Sequence, residues 1–475
     1  MLPPKNEVHP AQCIIIGASL EGLLCAYRLR QVGHNVVVVE KNSEDVPVLQ
    51  RGVRAPPNAA RLLVRLPGVK SLLQNKGTTA SGLEYIEGST SRSIGLTEFF
   101  DQVMSDLGSD FHTIPHGVLC SHLRELCREA GINIRYEVDI VSFSTSKLGR
   151  PIVTSKTGET IEGDLVVGAD GDSGISRTFL SETFSDIDSG NSSNSSDSDE
   201  DFESSLLHTG IRQVTGATFC IPVTSMRADP KLEGLTRSTA ASPNFSCDIK
   251  LWMISDGMVL GAMHGPELYI VVIMSPSKSE FDGVQSQGEN ADVMDAFADV
   301  LGQCDSLVFR LLRLASHCHR ERQVVPKVAP HLVDTTRNVV LIGDAGMSGP
   351  AFLWNLLRLF GGEIIESAFT LPHLFSKLSS VEQIPLLLDG YQKIRTPRNL
   401  GSLSSELEAA ALMSLPPSAE RDQRDEALAL PLDQEDEASA KVWAATLIQF
   451  NYDAIEAVDE WWIQWGKFVI DGKGA

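Results

Sequence analysis

The stretch CIIIGASLEGLLCAYRLRQVGHNVVVVEKN, residues 13–42, constrains this chain more than any other. Cys13 to Ile16 form a short apolar run, the pattern of a strand buried on both faces of a parallel sheet. Leu20 through Val32 carry helical spacing, with Leu23, Leu24, Tyr27 and Leu29 as candidate core contacts. Gly33 is placed to end that helix. Val36 to Val39 are four consecutive valines, a second buried strand that stops at Glu40. Strand, glycine turn, helix and strand in this order predict a βαβ unit.

The turn reads G-x-S-x-x-G over Gly17, Ser19 and Gly22. In a dinucleotide-binding turn the first glycine permits the sharp reversal and the second lets the backbone approach a pyrophosphate. The third lets helix and strand pack closely. Ser19 stands at the second of these positions, with a hydroxyl small enough to fit and able to donate to phosphate. Glu40 follows Gly17 by 23 residues, close to the spacing that sets a carboxylate on a ribose hydroxyl. The context around the glycines favours a nucleotide site over a purely structural unit.

Two later strand-to-turn junctions extend the pattern. In IEGDLVVGADGDSGISR, residues 161–177, Leu165 to Val167 lead into Asp170-Gly171, with Arg177 beyond. In NVVLIGDAGMSGP, residues 338–350, Val339 to Ile342 lead into Gly343-Asp344, with Pro350 beyond. This ordered trio resembles the FAD-dependent aromatic hydroxylases. These are single-component flavin monooxygenases such as salicylate hydroxylase and 4-hydroxybenzoate hydroxylase, with fungal salicylate-hydroxylase-like members among them. The resemblance covers most of residues 11–400. It includes RGVRAPPNAARLLVRL (residues 51–66), with Gly52, Arg54 and a helix-starting Asn58, and the closing-helix segment YQKIRTPRNL (residues 391–400). FNYDAIEAVDEWWIQWG (residues 450–466) looks like the C-terminal tail of fungal members, with Trp461, Trp462 and Trp465 read as packing.

The resemblance implies an α/β fold. A Rossmann-like FAD-binding domain of the glutathione-reductase type (residues 1–80, 114–180 and 326–400) would interleave with an antiparallel-sheet substrate domain (81–113 and 206–325). A helical extension would follow over 401–475. It also implies FAD as cofactor, NAD(P)H as a transient reductant, and hydroxylation of an aromatic or related small molecule through a flavin hydroperoxide. Glu40 would bind the adenosine ribose and Asp344 the ribityl chain. Asp170, Gly171 and Arg177 would serve the binding of FAD and NAD(P)H. Gly52, Arg54, Gly343 and Pro350 would complete the cofactor contacts.

Four positions depart from the family pattern: Ser19; His116, where the family has an arginine; Gly174, where it has a serine; and the segment AFLWNLLRLFGG after Pro350, where it has glycines. With His116 the permanent charge of a guanidinium is absent. Phe352, Leu353 and Trp354 fall where backbone would approach the flavin ring. Two other readings therefore stand beside the monooxygenase: a non-catalytic flavin- or ligand-binding member of the fold, and a flavin epoxidase of secondary metabolism. Among the strand-like runs of the substrate domain, His264 and Tyr269 are candidate substrate contacts, although such residues are more often core groups.

Composition excludes several classes. A net charge of −22 argues against nucleic acid and anionic membrane partners. Residues 181–205 hold ten serines and eight acids with no Lys or Arg, which predicts a disordered loop, either a solvated insertion or a phosphorylation platform. Eight cysteines without zinc-type spacing, and no signal or membrane-spanning run, point to free thiols in the cytoplasm.

Overall fold

The βαβ unit forms as read. Strand β1 (Gln12–Ile16) and strand β2 (Asn35–Val39) pair in parallel around helix α1 (Leu20–Gln31). Gly33 ends the helix at φ 104°, a conformation that only glycine adopts without strain. The computed structural model describes residues 9–46, 51–188, 211, 213–236, 249–277, 290–320, 327–348, 362–430 and 447–470.

Six strands make the first sheet, in the order Val333–Asp334, Val339–Leu341, Leu165–Gly168, β1, β2, Asn133–Arg135. All neighbours are parallel except the short edge strand Val333–Asp334. The near-continuous Ile and Val runs follow from this, since α1 and the helices His116–Glu129 and Glu363–Phe375 share one core with the sheet. Because parallel strands all end on one side, the turns after β1, β2, Leu165–Gly168 and Val339–Leu341 are brought to a common edge.

The second layer is a seven-stranded sheet. Its order is His317–Arg320, Gln213–Pro222, Leu268–Ser277, Gly257–Met263, Ile249–Ile254, Gly82–Glu87, Ser93–Glu98. It is antiparallel apart from one parallel pairing, Ile249–Ile254 with Gly82–Glu87. Its two faces bury separate cores. One contains Trp252, Phe219 and Leu311, the other Phe111, Leu251 and Phe450. A small sheet of Gly52–Ala55, His112–Pro115 and Thr78–Thr79 lies between the layers in chain order. Thr113 ties it to the large sheet through a 2.7 Å hydrogen bond to the Met263 carbonyl.

Several sequence expectations change. Asn58 is not a helix cap: the helix is Pro57–Leu63, with Pro57 at its first position and Pro56 as N-cap, the placement proline favours. Asn58 instead donates from Nδ2 to Glu366 at 2.8 Å. That carboxylate is fully buried between Arg395 (2.8 Å) and Arg398 (2.9 Å). Both arginines lie on the 30-residue helix Ile384–Met413, which runs straight across residue 400. Helix Ile175–Asp188 takes in residues 181–188 of the segment read as a loop; its residues 189–205 lie outside those described. Of the tail tryptophans, Trp461 packs on Gly390, whereas Trp465 is 65% exposed. A π-helical turn over Trp462–Gly466 aims it outward.

Candidate cofactor site

A cleft of ≈ 670 Å³ opens at the carboxyl end of the parallel sheet, within the size range of small-molecule sites. Gly17, Ser19, Glu40, His116, Asp170, Gly171 and Asp344 all line it. Three turns separated by more than 150 residues of sequence at each step thus meet in one place. Gly22, Gly343 and Arg177 stand immediately behind that wall.

Each turn is built by close approach. A Cβ on Gly17 (φ +104°) would lie 2.3 Å from the Ala169 carbonyl oxygen, and one on Gly22 2.1 Å from that of Gly17. Neither position admits another residue without backbone movement. Ser19 is the N-cap of α1: its hydroxyl accepts from the Gly22 N–H at 3.2 Å and donates to the Ala169 carbonyl at 3.1 Å. The hydroxyl is therefore engaged within the turn, which corrects the expectation that it is available to phosphate. Glu40 accepts the Ala18 N–H on Oε2 at 2.8 Å, and both the N–H and the Nδ2 of Asn42 on Oε1. One lone pair remains on Oε2 for a further donor.

Asp170 caps helix Ile175–Asp188 by accepting the Ser176 N–H on Oδ2 at 3.0 Å. Its Oδ1 is buried with no hydrogen-bond partner. Burial raises this carboxyl above the usual carboxylate range, against the lowering effect of the Ser176 N–H. The departure at Gly174 now has a reason, because a Cβ there would lie 2.3 Å from Asp170 Cγ. Arg177 reaches behind the wall to the Ala345 carbonyl at 3.1 Å, bracing the Gly343–Ala345 turn.

His116 starts its helix in contact with Arg51, whose Nη2 lies 3.3 Å from His116 Nε2. Burial, followed by the Arg51 charge, pushes His116 well below its ordinary value, so the ring is neutral. The permanent charge that the sequence reading found missing at His116 is available instead from Arg51 and Arg124, both in the cleft wall. Cys120 also lines the cleft, beside His116, with burial pushing its thiol up to about 12.

Gly52 and Arg54 do not join the cleft lining. A Cβ on Gly52 would fall 2.0 Å from the His264 ring, and Arg54 acts on the same histidine. Both belong to the seam with the seven-stranded sheet. There His264 is neutral, driven by burial to about 3, with Nδ1 near the Ala262 carbonyl and Nε2 without a partner. Pro350 and the bulky segment after it lie outside the described residues. Sequence reasoning missed Arg51, Arg124 and Glu21. A signal existed for the last, an acidic residue inside a glycine turn.

Residues 10–209 match the family model described as FAD binding domain. This chain carries an FAD binding domain. It is 30% identical over 173 residues to the FAD-dependent monooxygenase janM of Penicillium janthinellum, covering 35% of this chain and 34% of that protein. It is 26% identical over 162 residues to the FAD-dependent monooxygenase subE of Metarhizium robertsii, covering 33% and 49%. The chain thus spans about a fifth to a half of the length of the curated relatives it matches. Among solved structures, FqzB aligns with a TM-score of 0.69 at 18% identity, over 99% of this chain and 98% of that one. A salicylate hydroxylase substrate complex aligns at 0.66 and 17%, over 95% and 97%. The two-layer fold is that of these two solved structures, and with the FAD binding domain match and the monooxygenase relatives the resemblance to FAD-dependent aromatic hydroxylases read from the three turns stands. Among the described residues, no helix is long and apolar enough to cross a membrane, and no cluster of His, Cys, Asp and Glu suits a metal ion.

Proposed function

We propose that this chain is an FAD-dependent monooxygenase that uses NAD(P)H and oxygen to hydroxylate an aromatic or related small organic molecule in the cytoplasm. One observation carries the reading: the Gly17, Asp170 and Asp344 turns share a single cleft with Glu40, Arg51 and Arg124. The cleft fits an extended dinucleotide. Gly17 and Gly22 keep free the space that a Cβ would fill at the mouth of α1, and the first turn of that helix favours an anion. Glu40 would hold the ribose through the spare lone pair of Oε2. Arg51 and Arg124 would meet the phosphates, and Asp344 the ribityl chain. Asp170, with its unsatisfied Oδ1, and Gly171 would complete the wall where FAD and NAD(P)H both pass.

The bound flavin supplies hydride acceptance and oxygen activation. The protein's part is to orient that group, exclude water, and present the substrate from the seven-stranded sheet. Neutral His264 and the buried Tyr269 hydroxyl are the polar groups of that sheet nearest in character to substrate contacts. One specific feature favours the alternative of a ligand-binding protein without turnover: the Glu21 carboxyl stands in the turn meant for phosphate.

An absorption spectrum of the purified protein, before and after anaerobic NAD(P)H, separates the two. A flavin spectrum that bleaches supports the monooxygenase. A bound flavin that NAD(P)H leaves oxidised supports the alternative. A colourless folded protein that rejects added FAD removes both flavin readings.

A further inference from the structure

Glu21 is the second residue of α1 and only 5% exposed, yet it forms part of the cleft wall. Its carboxyl lies between two of the converging turns, within the influence of the first backbone N–H groups of α1 on one side and of the Asp344 backbone on the other. On the opposite side its Cγ lies 2.5 Å, and its Oε1 2.9 Å, from where a Cβ on Gly343 (φ +58°) would be. Gly343 therefore has to be glycine for this carboxyl to lie where it does. The side chain is seated at the anion-binding end of a twelve-residue helix, the position a pyrophosphate takes in a dinucleotide fold.

The groups around it are unevenly charged. Arg51 is the cation whose field reaches it, while Arg124 stands further along the same wall. From helix His116–Glu129 it faces the neutral His116 and the un-ionised Cys120. From the other turns it faces Asp344 and Asp170, and the end of β2 contributes Glu40 and Lys41. Two anions cannot share one helix terminus and one arginine in a desolvated site without strong repulsion. Burial already raises this carboxyl above the usual carboxylate range, with Arg51 and the N–H donors opposing.

We propose that the charge on Glu21 decides whether the pyrophosphate site accepts FAD. As a carboxylate it holds the first turn of α1 and the field of Arg51 for itself; the cofactor enters as Glu21 takes up one proton and Arg51 passes to the phosphates. The proposal rests on the cofactor reading above. It makes Glu21 an affinity-determining residue that couples cofactor uptake to pH. Affinity then falls as pH rises through the Glu21 value of the empty site, by up to about tenfold per pH unit.

The test uses the full chain stripped of flavin. FAD is titrated by calorimetry at about pH 6 and about pH 8.5, in two buffers of different ionisation enthalpy, so that protons taken up on binding are counted directly. Wild type is expected to bind about tenfold or more weakly at the higher pH and to take up a proton there. Glu21→Gln should bind tightly at both and take up none, and Glu21→Ala, a second variant in case the first misfolds, should show the same flat profile. Equal affinity and no proton uptake for wild type and Glu21→Gln at both pH values would overturn the gate while leaving the cofactor site intact. Folded proteins, wild type and variants alike, that bind no FAD at either pH would overturn the cofactor reading itself.

Discussion

Glu21 and Glu366 are both buried glutamates near the start of a helix that packs in the same core, and their surroundings set them to opposite uses. Glu366 has two arginines and the Asn58 amide within 2.9 Å. Burial alone would raise its value, but Arg398 and Arg395 more than offset this and hold it at about 2. Glu21 has one arginine acting from a distance and an open cleft beside it, and burial prevails. A carboxylate fully matched by cations fixes the positions of three segments and is inert. One left under-matched at the mouth of a cleft can exchange its partners for a ligand.

The sharpest way to break this contrast is to remove the matched carboxylate. Glu366→Ala strands Arg395 and Arg398 in the core, and a loss of about 3–5 kcal/mol is expected in urea unfolding. Glu21→Gln, measured alongside, should cost nothing or stabilise. Similar losses for the two would erase the distinction. Next in size is Gly17→Ala. The clash with the Ala169 carbonyl and the positive φ add about 1–3 kcal/mol of strain, so FAD retention, read from the absorbance ratio of flavin to protein, should drop by tenfold or more. Retention unchanged from wild type would detach this turn from the cofactor.

Acid titration tests the charge states separately. His264 has a folded value of about 3, below its ordinary one, so the unfolded chain binds its proton first. Stability should therefore fall as pH drops below about 6.5 and continue falling toward about 3. Glu366 adds its own loss only below about 4.5, down to about 2. Replacing His264 with Leu should make the melting-temperature profile shallower from about pH 6.5 down to about 3, while the contributions of His116 and Glu366 stay in place. The smallest effect belongs to Ser19. Loss of the cap in Ser19→Ala should cost about 1 kcal/mol, and Ser19→Gly only a few tenths. Neither should change FAD affinity by more than a few-fold, because the hydroxyl is already bonded to Ala169. A large loss of FAD affinity in Ser19→Gly would return this side chain to the phosphate.

The arginines show why part of the site was legible and part was not. Gly17, Asp170 and Asp344 could be read because a buried parallel strand must be followed by a tight turn, and tight turns restrict residue type. Arg51 and Arg54 lie three apart in extended chain, so they face opposite sides of it. Which one meets the cleft depends on the pairing of Gly52 with Pro115, which sets Arg51 beside His116 and turns Arg54 toward His264. Local pattern does not contain that register. Asn58 was misread for a related reason: its partner, Glu366, lies 308 residues away.

The amino-acid sequence alone determined the parallel strands, the order of the three glycine and aspartate turns, and hence the edge at which they gather. These follow from steric limits on the backbone and from short apolar runs, both local properties. Only the tertiary structure decided how charge is distributed: Arg51 brought to the cleft, His116 neutral and Glu21 under-matched beside it, Glu366 paired in the core. Ionisation in a protein interior depends on depth of burial and on the distance to other charges, and those distances exist only once segments far apart in the chain have packed.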